Sequence, residues 1–277
     1  MELFSRGRLI ETVVRRAILI LVLAFFITPV ILIVLTSLKT RLDALASPPL
    51  WIFKPTLENY VHIFVSYSFG LYIRNSFIAA TGATLVSVVL GTLAAYGLAR
   101  YPFRGSEGVS YWILSLRMAP AIASIIPLFI MLRTINLIDK SSGLILVYTS
   151  ANLPLVIWVM RGFFEDIPRD MEENALVDGC SRLGAFFRIA LPMAVPGLAA
   201  IAILTFLFTW NEFLFALILT SRSAQTLPVA VLLFMRETGI DWGNMTAAAT
   251  IMMLPMLVST IFVQRGLVRG LTMGAIK

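Results

Sequence analysis

Six long apolar runs separated by polar connectors organise this chain, at about 17–35, 75–99, 109–132, 143–160, 193–220 and 243–264. The first holds nineteen residues, fifteen of them Leu, Ile, Val or Phe, and only Thr28 and Pro29 interrupt it. About 20 apolar residues match a hydrocarbon core roughly 30 Å thick, and a helix is the only single segment that satisfies its own backbone there. At about −0.3 to −0.6 kcal/mol per large apolar residue, inserting the first run gains at most about 4 to 9 kcal/mol. It is longer than a usual signal-peptide core and no small-x-small cleavage site follows, so it is expected to stay as a helix. The pattern predicts an all-α, polytopic membrane protein with six transmembrane helices. The expected organisation is an N-terminus over 1–16, a transmembrane domain over 17–264 that includes a long polar loop at 161–192, and a tail over 265–277.

An even number of crossings places both termini on one side, and basic residues favour the cytoplasm. The termini, the 100–107 connector and the 161–192 loop share thirteen Lys and Arg, against eight in the 39–71, 133–142 and 221–242 connectors counted together with Arg74. Both termini are therefore expected to be cytoplasmic.

Composition agrees with that picture: 59% of the 277 residues are hydrophobic and 13% charged, about half the charge of an average soluble domain. The net charge of +7 is spread in small groups between apolar runs rather than gathered into one basic patch, which argues against a nucleic-acid partner. With one cysteine, Cys180, and one histidine, His62, there is no internal disulfide and little basis for a metal site.

Several residues inside the runs say more than membrane. Ser87, Gly91, Ala95 and Ala99 recur every four residues and line one helix face, either for packing within the chain or against another subunit. Arg117 falls in the third run, where a charge costs about 2.5 to 3.5 kcal/mol. Glu212 is the only acid inside any run, beside Trp210 and Asn211. Two readings stay open: a polar cavity for a sugar-like solute, lined by Arg117, Asn152, Trp210, Asn211 and Glu212, or an Arg117–Glu212 pair that fixes helix packing.

The loop at 161–192 reads as two short helices. Pro168 suits a first turn, Asp170, Glu172 and Glu173 put negative charge near the positive end of the macrodipole, and Gly179 is a stop. Ser181 is placed to cap a second stretch whose Leu183, Phe186, Phe187 and Leu191 recur at roughly helical spacing. Such an apolar face suits docking to a cytosolic partner, or equally a helix lying on the membrane.

At this loop the sequence closely resembles the signature of binding-protein-dependent ABC importer permeases. The matching residues are Glu173, Ala175, Asp178 and Gly179, then Phe186, Ile189, Leu191, Pro192, Pro196 and Gly197; Asn174 and Cys180 stand where the family commonly has Ala. Arg161 to Phe164, Trp210 to Phe213 and the closing Gly270, Leu271, Thr272, Gly274, Ala275 and Lys277 look like the sugar branch similar to the smaller maltose-transporter permease. The resemblance implies a type I ABC importer permease fold in the bacterial inner membrane. It implies that Glu173, Ala175, Asp178 and Gly179 couple to a dimer of ATPase subunits, and that Leu271, Thr272 and Gly274 in the tail reach that dimer. Further implied partners are a second permease subunit, making a heterodimer, and a periplasmic or lipid-anchored solute-binding protein. The chain has no Gly-x4-Gly-Lys-Ser/Thr loop to cradle phosphates. No cofactor is therefore expected in it; ATP and Mg belong to the partner ATPase, and the chain is not expected to be an enzyme.

Aromatic residues Trp51, Tyr60 and Tyr67 in the 39–71 connector and Tyr72 directly after it either receive the solute-binding protein or form an interfacial belt. Two rival classes remain. An ion-coupled secondary transporter normally carries several intramembrane acids, and an intramembrane enzyme needs a catalytic set inside its spans.

Overall fold

The computed structural model describes the backbone of residues 2–236 and 239–273, with side chains over 11–235 and 239–259. The helices are α1 (Glu2–Ser37), α2 (Arg41–Ala44), α3 (Glu58–Ser66), α4 (Phe69–Arg100), α5 (Ser106–Ser115), α6 (Ala121–Thr134), α7 (Ser141–Asp166), α8 (Arg169–Val177), α9 (Arg182–Ala185), α10 (Leu191–Met193), α11 (Val195–Trp210), α12 (Leu214–Leu219), α13 (Leu227–Ala230) and α14 (Trp242–Met273). A two-residue antiparallel pairing, Met235 with Ile240 and Arg236 with Gly239, precedes the last helix.

Among the described residues, α1 over Glu11–Ser37, α4 and α7 are each long and apolar enough to cross a membrane. The sixth apolar run lies in α14, whose side chains after residue 259 are outside the described residues. Two runs are not the single straight helices that hydropathy suggests. The segments Ser106–Met118 and Ala121–Thr134 meet at 93°. Pro120 disfavours the helical region for the residue before it, and Ala119 is extended, with φ −64° and ψ 130°. The segments Arg182–Met193 and Val195–Trp210 meet at 72°. Here Pro192 and Pro196 each remove a backbone donor and crowd the carbonyl four residues back, and residues Phe186–Ala190 widen into a π-helical turn just before the bend. By contrast Pro29, Pro127, Pro154 and Pro255 sit inside continuous helices.

The chain forms two compact units, residues 1–69 with 231–253, and 70–230 with 254–277. In the first, Asn59 Nδ2 donates to the carbonyls of Ser37 and Lys39 at 2.8 Å each, and Tyr60 Oη bonds Ser37 Oγ at 2.7 Å. These bonds pin α3 to the end of α1. Tyr67 packs edge-on against Phe234, ring centroids 5.1 Å apart. Two of the connector's aromatics are thus held within this unit, while Trp51 and Ile52 are exposed.

In the second unit, α4, α7 and α11 build the core. The small-residue stripe of α4 is wholly internal: Ser87, Gly91, Ala95 and Ala99 are all buried. A Cβ added at Gly91 would meet Val156 Cγ1 of α7 at 2.5 Å, so the absence of a side chain sets this helix approach. Ala95, Tyr96 and Ala99 continue the seam against Val156, Met160 and Phe164. At the other end of the unit Asp139 clamps the loop at 221–224. Its Oδ1 accepts the backbone N–H groups of Ser221, Arg222, Ser223 and Ala224 at 3.0 to 3.1 Å. Partial burial alone would raise this carboxyl's pKa, but the bonds from Ser223, Ser221 and Arg222 outweigh it and hold the group well below the usual carboxylate range.

Candidate functional site

The loop at 161–192 is built as a clamp on the end of α4. Residues 161–166 complete α7; Ile167 is extended before Pro168, and α8 begins at Arg169. The helix stops in a Schellman turn: Gly179 N–H donates to Leu176 O at 3.1 Å and Cys180 N–H to Ala175 O at 2.9 Å. Gly179 has φ +89°, a left-handed conformation that glycine adopts without strain. Ser181 Oγ then accepts the Gly184 N–H at 3.1 Å and starts α9.

Glu172 is the inward-facing residue of α8. Its Oε2 accepts from Tyr96 Oη at 2.5 Å and its Oε1 from Arg100 Nε at 2.6 Å. The same Arg100 donates through Nη2 to Ile167 O at 2.9 Å, and Arg169 Nη2 donates back to Ala99 O at 3.1 Å. Two arginines thus satisfy carbonyls at the helix junction while a buried ion pair joins the helices, with both side chains under a tenth exposed. Aromatic packing closes around it: Tyr96 lies 4.6 Å from Phe186 and 5.3 Å from Phe164, centroid to centroid.

The opposite side of the loop is open. Glu173 and Asp178 are exposed, Ala175 is half-buried, and Val177 is 87% exposed beside Leu176 and Met171. Leu183 and Phe187 are also exposed, whereas Phe186 is buried, so the apolar face read from spacing divides between core and surface. Leu271 and Thr272 have side chains outside the described residues, as is all of Gly274.

A second polar locus lies in the bend after α5. A cavity of about 580 Å³ is lined by Arg117, Ser124, Ser150, Asn152, Thr209 and Glu212 together with apolar residues that include Phe208 and Phe215. Arg117 Nη1 reaches Ala151 O at 3.4 Å, and its guanidinium lies 4.9 Å from the Phe208 ring centroid. Asn152 Nδ2 donates to Tyr148 O at 2.8 Å and Thr209 Oγ1 at 3.0 Å. Glu212 accepts from Phe215 N–H at 3.0 Å and Ala216 N–H at 3.3 Å, capping α12 where the fifth run breaks. Among the described residues Arg117 and Glu212 form no ion pair, so the pairing that their isolation suggests is replaced by two separate sets of partners. Three of the five pathway candidates line this cavity. The other two do not: Trp210 is buried and stacked on Phe206 at 5.7 Å, and Asn211 is exposed with its amide on Leu207 O at 2.8 Å.

Sequence reasoning missed Glu172, Tyr96 and Arg100. A signal existed in the basic end of α4 and the run of acids in α8, but nothing in the sequence tells which of Glu172 and Glu173 turns inward.

The model of the family described as "Binding-protein-dependent transport system inner membrane component" matches residues 87–273. The chain is 36% identical over 251 residues to the sulfoquinovosyl glycerol transport system permease protein of Agrobacterium fabrum, covering 90% of this chain and 88% of that one. It is 35% identical over 265 residues to the trehalose/maltose transport system permease protein of Thermococcus litoralis, covering 94% of each. Its fold is similar to a chain in the crystal structure of a bacterial ABC transporter involved in import of the acidic polysaccharide alginate. That match has TM-score 0.77 and 21% identity, covering 92% of this chain and 96% of that one.

Proposed function

Because the chain belongs to the family of binding-protein-dependent transport system inner membrane components, we propose that it forms one half of the path by which a sugar or sugar-like solute enters the cell. The chain is a multi-pass inner-membrane permease component of an ABC importer. The sugar class is carried over from relatives whose names specify sulfoquinovosyl glycerol and trehalose or maltose. In this reading a second permease subunit completes the path, a dimer of ATPase subunits in the cytoplasm binds ATP and Mg, and a solute-binding protein delivers the cargo outside.

The observation that carries the mechanism is the tie between Glu172 of α8 and Arg100 of α4. The exposed side of α8, with Val177, Glu173 and Asp178, seats in the ATPase subunit; Ala175 and Gly179 keep the contact close and end the helix. The buried side is bolted to α4. When ATP closes the ATPase dimer, α8 moves with the subunit that holds it, and α4 follows because the ion pair and the aromatic cluster leave no slack. The helices packed on α4 then shift between inward-open and outward-open arrangements. Energy enters through α8, while selectivity belongs to the cavity with Arg117, Asn152 and Glu212. Trp210 and Asn211 close the end of α11 next to Glu212 in the chain, outside the cavity lining. The tail residues Leu271, Thr272 and Gly274 add a second contact with the ATPase.

An ion-coupled transporter is the less favoured reading, since the cavity holds a single carboxylate, Glu212, whose oxygens already accept two backbone N–H groups. Reconstitution of the whole complex in liposomes separates the two. Uptake driven by ATP with no ion gradient supports the importer, whereas uptake driven by an ion gradient without ATP overturns it.

A further inference from the structure

We propose that Arg117 reads a negative charge on the cargo, and that the solute passing through this cavity is an acidic sugar, carrying a carboxylate or a sulfate group. The inference rests on the reading of the chain as a sugar permease and adds the charge class of the sugar.

A cation within an apolar run is costly to keep unless something answers its charge. Among the described residues no carboxylate does. The guanidinium carries five N–H donors in a fixed fork, and its one protein acceptor is the Ala151 carbonyl, at a long 3.4 Å. Glu212 lines the same cavity but is turned to other work, one oxygen on Phe215 N–H and the other on Ala216 N–H. The cavity therefore contains a negative group already satisfied and a positive group that is not.

The geometry also says what kind of partner suits it. Arg117 lies against the Phe208 face with 4.9 Å between guanidinium carbon and ring centroid, which fixes the fork by cation–π attraction. A planar fork held in this way matches two oxygens of a carboxylate or sulfate in parallel, a pairing that a neutral hydroxyl cannot reproduce. Phe208, Leu128 and Phe215 around it lower the local dielectric, so the charge is felt more strongly than in water. Ser124 and Ser150 also line the cavity; each donates its hydroxyl to a backbone carbonyl and keeps its oxygen free to accept from the rest of the sugar.

The test uses the complete complex in lipid nanodiscs. Direct binding is measured by saturation-transfer NMR for hexoses of gluco, galacto and manno configuration, each compared with its own hexuronate and 6-sulfate. At least one acidic member is expected to bind tenfold or more tighter than its neutral parent, and the carboxylate and sulfate arms show which oxyanion is preferred. Arg117→Gln should bring acid and parent within about twofold of each other, and Arg117→Lys, which keeps the charge without the fork, should fall between. Equal binding of acid and parent by the unmodified complex overturns the inference while leaving the sugar cavity standing; it would mean that a carboxylate of the second subunit answers Arg117. Retained acid preference in Arg117→Gln overturns it as well. Binding by no member of the panel overturns both the inference and the sugar reading. The comparison within the unmodified complex decides the matter even if the Gln variant fails to assemble.

Discussion

Glu172 and Arg100 form a buried ion pair, 2.6 Å from Oε1 to Nε, that fastens the short helix of the 161–192 loop to the end of the second apolar run. Removing one member of such a pair leaves the other charge buried and uncompensated, which typically costs about 3 to 5 kcal/mol, whereas replacing both with apolar residues is often neutral. Glu172→Ala is therefore expected to lower the thermal stability of the complex markedly, and Arg100→Met with Glu172→Met to recover part of it, since Tyr96 Oη and Ile167 O still lose their partners. The ratio of solute taken up to ATP hydrolysed should stay low in both, because the apolar pair packs without fixing the angle between α8 and α4. Recovery of that ratio in the double variant would make the pair a matter of stability alone.

Gly179 offers a test that spares the core. Its φ of +89° is strained for any residue with a Cβ, by about 1 to 2 kcal/mol, yet a Cβ there meets nothing within 4 Å. Gly179→Ala should therefore assemble normally and bind solute normally while reducing solute-stimulated ATP hydrolysis several-fold, because α8 no longer ends in the same turn. Full stimulation in this variant would remove the turn from the coupling path.

Asp139 sets a pH dependence. Its folded carboxyl lies below the unfolded reference, so it contributes stability above about pH 4 and loses that contribution as pH falls through the folded value. Amide protection in the 221–224 loop, measured against the intrinsic exchange rate at each pH, should be high at pH 5 to 7 and fall progressively below pH 4. Asp139→Asn, with one carbonyl oxygen in place of a carboxylate, should show fast exchange across the range. Equal protection in both proteins would mean that the loop is held by Asn75, whose Nδ2 donates to Ser223 O and Gln225 O.

Much of this arrangement was legible in the sequence, for reasons specific to each part. Hydropathy reports the free energy of transferring a segment into lipid, so the apolar runs stood out from composition alone. It carries no information about direction, and the 93° turn at Ala119 was therefore invisible, although Pro120 marked the place. Pro127 and Pro154 look the same in the sequence and sit in unbroken helices, because neighbouring packing decides whether a proline bends or breaks. The two ends of α8 were readable since Pro168, Gly179 and Ser181 act through their own backbone. Glu172 was not, because an acid on α8 becomes a partner only when Arg100, 72 residues earlier in the chain, arrives beside it. The same limit applied to Arg117 and Glu212: isolation in an apolar chain suggested each other, and the fold gave each a nearer partner.

The most direct test of the account is whether the exposed side of α8 faces the cytoplasm and is covered by the ATPase. Val177, 87% exposed, is the site to probe, as Val177→Cys in a Cys180→Ser background that removes the chain's one native thiol. A membrane-impermeant maleimide should label it in inverted vesicles stripped of the ATPase, fail to label it in intact spheroplasts, and be blocked when purified ATPase subunits are added back. Labelling from the outside, or labelling indifferent to the ATPase, would contradict the claim that this helix is the point where ATP-driven motion enters the chain.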